Sequence, residues 1–130
     1  MEGVARMTLY ILNTMVVPID YDKVDATVIV TYRLTLEQAR ERVRKAQQMG
    51  ELQSAISHEP TAQLLSRLLG VEIKPEYRTV YMQEDDEALH FIIKIRLPKD
   101  IDVREVELLP YWLVWSEIRA TISGGGEKHE

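Results

Sequence analysis

The stretch Ala55-Ile56-Ser57-His58-Glu59-Pro60-Thr61 has the residue types of a proton-transfer site on a phosphate. It sets a histidine, flanked by Ser57 and Thr61, where a helix is predicted to begin. Free backbone N–H groups at a helix start, together with the macrodipole, form an anion site. Histidine is the side chain best matched to proton transfer near neutral pH, so a phosphate held there has a proton donor within reach. The same residues also describe a capping or surface histidine. A Ser–His hydrolase is a poorer reading of Ser54, Ser57 and His58, because no glycine-flanked nucleophile elbow or partnered acid accompanies them.

A second group lies on a predicted strand over 88–97. Alternation sends Leu89, Phe91, Ile93 and Ile95 one way and His90, Ile92, Lys94 and Arg96 the other. If Arg78 of the neighbouring strand shares that face, the second set makes a compact basic surface. Taken alone, the pattern reads first as an ordinary solvent face with a snorkelling lysine and arginine. Glu84, Asp85, Asp86 and Glu87 lack the alternating spacing and central glycine of a calcium loop. Tyr111, Trp112 and Trp115 are of a type to stack on adenine, but near a C-terminus they read first as core or dimer contacts.

The elements that must position these groups follow from pattern. Residues 8–12 predict a strand ending at Asn13, residues 14–25 a loop, and the β-branched run 26–33 a second strand. Thr35 and Gln38 have capping-box spacing. The helix they open carries Leu36, Ala39, Val43 and Ala46 on one stripe, with Glu37, Arg40, Glu41, Arg44 and Lys45 solvated, and stops at Gly50. A second helix starts near Pro60, buries Leu64, Leu65, Leu68 and Leu69, and ends at Gly70. A strand over 77–83, an acidic turn at 84–87 and the 88–97 strand read as a hairpin. A short helix over 102–109 ends at Pro110, and 111–118 is the last strand. The expected fold is α+β: a mixed sheet of about five strands flanked by helices, one compact domain over 1–120. Residues 121–130 read as a disordered tail.

Length and composition agree with one cored domain. The chain has no cysteine, so disulfides, thiolate zinc sites and a cysteine nucleophile are excluded. No apolar run approaches the roughly 20 residues that span a membrane, and no signal peptide is legible; a cytoplasmic protein is expected. With 21 acidic and 16 basic side chains the net charge is −5. That argues against duplex nucleic acid as a partner, since phosphate neutralisation needs a basic stripe. A small anion in a locally basic pocket is compatible with it.

Taken together, the segments LYILN, SAISHEPTAQLLSRLLG, YRTVYM, DDEALHFIIKIRLP and the final aromatic strand resemble the viral ring-nuclease family, type III anti-CRISPR proteins that degrade cyclic tetra-adenylate. The resemblance runs from about Leu9 to Ile118 and is most specific in the middle block. It implies a homodimer that binds the ring across its interface and cleaves it without metal or other cofactor. In that chemistry a ribose 2′-hydroxyl attacks phosphorus and a histidine protonates the departing 5′-oxygen. His58 corresponds to that histidine, Asn13 to a ligand-contacting asparagine, and Arg78 and Arg96 to phosphate-holding arginines. Lys94 lies beside a ligand-contacting position, while Ser57 and Thr61 flank the histidine. Family members commonly carry a glutamate two residues after the leucine of the Arg-Leu pair. Here Arg96-Leu97-Pro98-Lys99 puts lysine in that place, a departure that bears on turnover rather than on ligand identity. A binding protein that sequesters cyclic oligoadenylate with little turnover is the alternative.

Overall fold

Leu9–Leu12 (β1) is a four-residue apolar run with cover on both faces, and in the computed structural model, which describes residues 7–94 and 110–123, it lies inside the sheet. Around it the chain folds as β2 (Ala26–Arg33), α1 (Leu36–Gln48), β3 (Leu52–Ser54), α2 (Glu59–Leu69), β4 (Glu87–Ile93) and β5 (Tyr111–Ile122). The strand order is β2-β5-β4-β1-β3. β1 pairs in parallel with both β3 and β4, whereas β5 runs antiparallel to β4 and β2. This is the expected α+β architecture with a mixed sheet and two helices.

Both helices cover one face of the sheet. Ala39, Val43 and Ala46 of α1 and Leu64, Leu65, Leu68 and Leu69 of α2 form one core with Leu9, Ile11, Leu89, Phe91, Leu113 and Trp115. The alternate side chains, among them Leu12, Ala88 and Ile118, form a second core on the helix-free face. Met82, Val17 and Ile19 close it from above, so irregular chain does there what helices do on the other side.

The helix boundaries are set as their signals imply. Thr35 caps α1, its hydroxyl accepting from the Gln38 amide at 3.1 Å while the Gln38 side chain accepts from the Thr35 amide at 2.9 Å. Thr35→Ala removes the first of these bonds and is expected to destabilise the protein by about 1 kcal/mol. A urea midpoint identical to wild type would show that the cap contributes nothing. Gly70 ends α2 with φ 78°, the left-handed conformation that glycine adopts without strain.

Three local expectations are corrected. Residues 77–83 form no strand and no hairpin with β4, because both edges of β4 are already paired, one to β1 and one to β5. The segment is instead an extended strap whose Met82 amide bonds the Pro18 carbonyl at 2.8 Å. β3 takes the edge beside β1, a strand too short to be seen in pattern. β5 runs through Ile122, so Thr121 and Ile122 belong to the sheet rather than to a tail. The 102–109 helix and residues 124–130 lie outside the described residues.

Candidate functional site

Parallel strands bring their carboxyl ends to one edge, and here β3, β1 and β4 do so side by side. Such an edge is where open parallel sheets carry ligands. Asn13, half-buried, follows β1 directly. After β3 the chain is held by the Ala55 amide on the Ile11 carbonyl (3.0 Å) and the Ile56 amide on Ser54 Oγ (3.2 Å). Ile56 is fully buried, which pins this turn and turns Ser57 and His58 out to solvent.

His58 is the N-cap of α2, in extended backbone with φ −100° and ψ 123°. Its carbonyl accepts from the Ala62 amide at 3.0 Å, but its imidazole makes no capping bond. Among the described residues the ring has no hydrogen-bond partner, and no side chain caps the helix start. Pro60 in the first turn has no N–H to satisfy, and half-buried Thr61 sits beside it.

Arg78 reaches this edge through the strap. The Glu76 amide bonds the Ile56 carbonyl at 2.7 Å, which lays residues 76–78 alongside the turn that presents His58. Arg78 Nε is 2.7 Å from the Glu76 carboxylate, both side chains partly solvated, so this pair contributes little to stability. Lys94 follows β4, exposed, its Nζ 5.3 Å from the centre of the Trp112 ring. Trp112 is itself solvent-exposed, while Trp115 and Tyr111 belong to the helix-side core as their aromatic character led one to expect. Arg96 and Lys99 lie outside the described residues.

His90 is not part of a basic surface. It is fully buried, with Nδ1 2.6 Å from the Thr14 carbonyl and Nε2 2.8 Å from Ser116 Oγ, which lies 3.2 Å from Thr31 Oγ1. Arg78 does not share its face on a neighbouring strand, because the strap is not part of the sheet. The alternation of β4 sets Leu89 and Phe91 on the helix side and His90 on the opposite face, which is covered where His90 sits. A carbonyl only accepts, so Nδ1 carries the proton and Nε2 accepts from the serine hydroxyl. His90 thereby ties down the residue next to Asn13. No local motif marks this role, since Thr14, Ser116 and Thr31 come together only in the folded sheet.

Burial holds the His90 imidazole below its ordinary pKa, with the Thr14 carbonyl pulling partly the other way. An unfolded histidine, at 6.5, thus binds a proton more readily than the folded one, and stability falls as pH drops through that value until the folded pKa is passed. Asp86 and Glu87, pushed up mainly by burial, act in the opposite sense at more acidic pH. Urea midpoints at pH 7 and 5.5 should therefore converge more in His90→Gln than in wild type. Equal pH dependence in the two proteins would show that His90 is not the group responsible.

The acidic turn is structural. Asp86, buried, accepts from the amides of Thr8 (3.1 Å) and Gln83 (2.8 Å). Among the described residues no three His, Asp or Glu side chains converge as a metal-ligand set, and no helix is long and apolar enough to cross a membrane.

Comparison with known proteins gives a consistent picture. A family model described as STIV B116-like matches residues 9–113. "Uncharacterized protein 26" of Sulfolobus islandicus filamentous virus (isolate Iceland/Hveragerdi) is 33% identical over 101 residues, 78% of this chain and 80% of its own length. "Uncharacterized protein ORF117" of Acidianus two-tailed virus is 31% identical over 107 residues, covering 82% and 87%. The solved structure of B116 from Sulfolobus turreted icosahedral virus superposes with a TM-score of 0.73 at 21% identity, covering 85% of this chain and 98% of that one. At that identity the likeness is one of fold.

Proposed function

This chain belongs to the STIV B116-like family, and from that premise we propose that it is a ring nuclease that binds cyclic tetra-adenylate and cleaves it, switching off type III CRISPR signalling. The observation that carries the reading is the shared strand edge. Asn13, the Ser57–Thr61 helix start and Lys94 each follow one of the three parallel strands on that side, the strap carrying Arg78 runs past the turn before α2, and the His58 imidazole makes no bond to another described residue.

The chemistry asked of this edge is modest. A ribose 2′-hydroxyl attacks the neighbouring phosphorus and its proton leaves to water. The bond from phosphorus to the 5′-oxygen breaks, and His58 donates the proton that oxygen takes up. Two such cleavages give linear di-adenylates with cyclic phosphate ends. Charge on the phosphoryl oxygens is met by Arg78, by Arg96 and Lys99 beyond the described residues, and by the amides at the start of α2. Asn13, Ser57, Thr61 and Lys94 orient the ring, which matters because in-line geometry supplies much of such a rate. None of these roles asks for a metal or cofactor. A ring of this size needs a second subunit to enclose it, so a homodimer belongs to the proposal, as does a host-cell cytoplasmic site of action.

A second reading rests on Lys99, which stands where the family commonly has glutamate. A lysine adds phosphate affinity without a carboxylate to help His58, and the protein then sequesters the ring. Incubation with cyclic tetra-adenylate, with and without EDTA, followed by chromatography and mass spectrometry, separates the outcomes. Linear adenylates in equal yield support the nuclease. An intact ring tightly bound supports sequestration. An intact ring left unbound overturns both.

A further inference from the structure

Arg78 also borders a cavity of about 610 Å³ over the helix-free face of the sheet. Tyr10 of β1 and Gln53 of β3 are register partners, so their side chains stand next to each other on its floor. The 19–24 loop and the strap from Arg78 to Glu84 form its walls, with Lys23 and Tyr81 among the lining side chains. None of the roles given above to Asn13, His58 or Lys94 uses this space.

The polar groups around it divide into two sets. The carboxylates are engaged: Glu84 Oε1 accepts from the Thr121 amide and hydroxyl at 3.0 and 3.1 Å, and Asp20 Oδ1 from the Asp22 amide at 3.1 Å. The donors and amphoteric groups are open. The Tyr10 and Tyr81 hydroxyls, the Gln53 carboxamide and the Lys23 ammonium make no hydrogen bond to another side chain or to the backbone among the described residues. Among the described residues Arg78 pairs with Glu76, an acid outside the cavity, and its charge acts on the Tyr10 hydroxyl. Tyr81 leaves half of its surface in solvent (51%).

We propose that this cavity is a binding site for one nucleoside monophosphate. Its volume lies within the roughly 300–1,000 Å³ of small-molecule sites. Lys23 and Arg78 supply two cations for a phosphate, and Tyr10 and Tyr81 supply aromatic surface for a base. Gln53 offers the paired donor and acceptor that reads a base edge. The Tyr10 hydroxyl is protonated at neutral pH, and burial, with the Asp86 charge, raises its pKa further, so it adds a donor rather than a repelling charge. The assignment shares Arg78 with the nuclease edge but does not depend on turnover at His58.

The test is calorimetric titration of the full chain with adenosine monophosphate, with adenosine and with inorganic phosphate as separate probes. Adenosine monophosphate should bind more tightly than either fragment. Gln53→Leu and Lys23→Ala, both surface changes checked by thermal melting, should each weaken it at least about tenfold, the loss of one hydrogen bond to a charged or buried group. His58→Ala should leave it unchanged. No binding at millimolar nucleotide overturns the proposal. So does phosphate binding as tightly as the nucleotide, and so does binding lost in His58→Ala but retained in Gln53→Leu and Lys23→Ala. If the chain fails to cleave cyclic tetra-adenylate, the outcome of this titration is unaffected, so the two readings fail separately.

Discussion

His58→Ala is expected to slow cleavage of cyclic tetra-adenylate by about 10²–10⁴-fold, the usual contribution of one positioned general acid, while ring affinity and melting temperature stay at wild-type values. The separation follows from the geometry. The imidazole makes no capping bond and stands exposed at the start of α2, so its removal opens no core and breaks no hydrogen bond that holds the turn. Ile56 below it, fully buried and bonded through its carbonyl to the Glu76 amide, keeps the turn in place. Single-turnover rates and equilibrium binding of the ring to the variant provide the two readouts. Cleavage at the wild-type rate would remove His58 from the mechanism. Lost binding with a lowered melting temperature would assign it to structure instead.

The largest effect on stability is expected at Phe91. It is 2% exposed at the middle of β4, and its ring meets Tyr111 at 5.3 Å between centroids in a tilted arrangement. Phe91→Ala leaves a cavity between the sheet and both helices and should cost about 3–5 kcal/mol. Against a total of roughly 5–15 kcal/mol for a domain, that is a large share. Phe91→Leu, which keeps most of the volume, should cost much less. Urea unfolding followed by fluorescence gives both values. Equal losses in the two variants would mean that ring packing, not the cavity, sets the cost.

Long, strongly patterned elements were legible before the fold was known. The Thr35/Gln38 box, the Ala39–Val43–Ala46 stripe and Gly70 define two helices from local physics alone, and the β-branched run of β2 does the same for a strand. What pattern did not carry is whatever depends on partners remote in sequence. β3 is three residues long and exists because β1 has an open edge for it. The 77–83 strap has the β-branched and aromatic residues of a strand, yet β4, the strand it would pair with in a hairpin, already has β1 on one side and β5 on the other. His90 shows the same limit at the level of one side chain. Its phase along β4 is evident from the alternation, but its partners, Thr14 in the post-β1 loop and Ser116 on β5, are remote in sequence. The candidate site divides along the same line. His58 at a helix start was readable, whereas the placing of Asn13, His58 and Lys94 after the carboxyl ends of neighbouring strands follows only from the parallel pairing of β3, β1 and β4.

That parallel pairing has a consequence for how the chain is made. β1 emerges first from the ribosome, but its two partners, Leu52–Ser54 and Glu87–His90, are synthesised much later. At about 5–20 residues per second, LYIL waits for seconds as an unpaired apolar strand, and contacts this distant in sequence close slowly even when available. The sheet therefore assembles late, and it is complete only after β5, which lies between β4 and β2, has cleared the exit tunnel. During synthesis the two helices, whose signals are local, are the parts able to form early, and a nascent chain arrested before β4 should behave as an adhesive peptide rather than as a partly built domain.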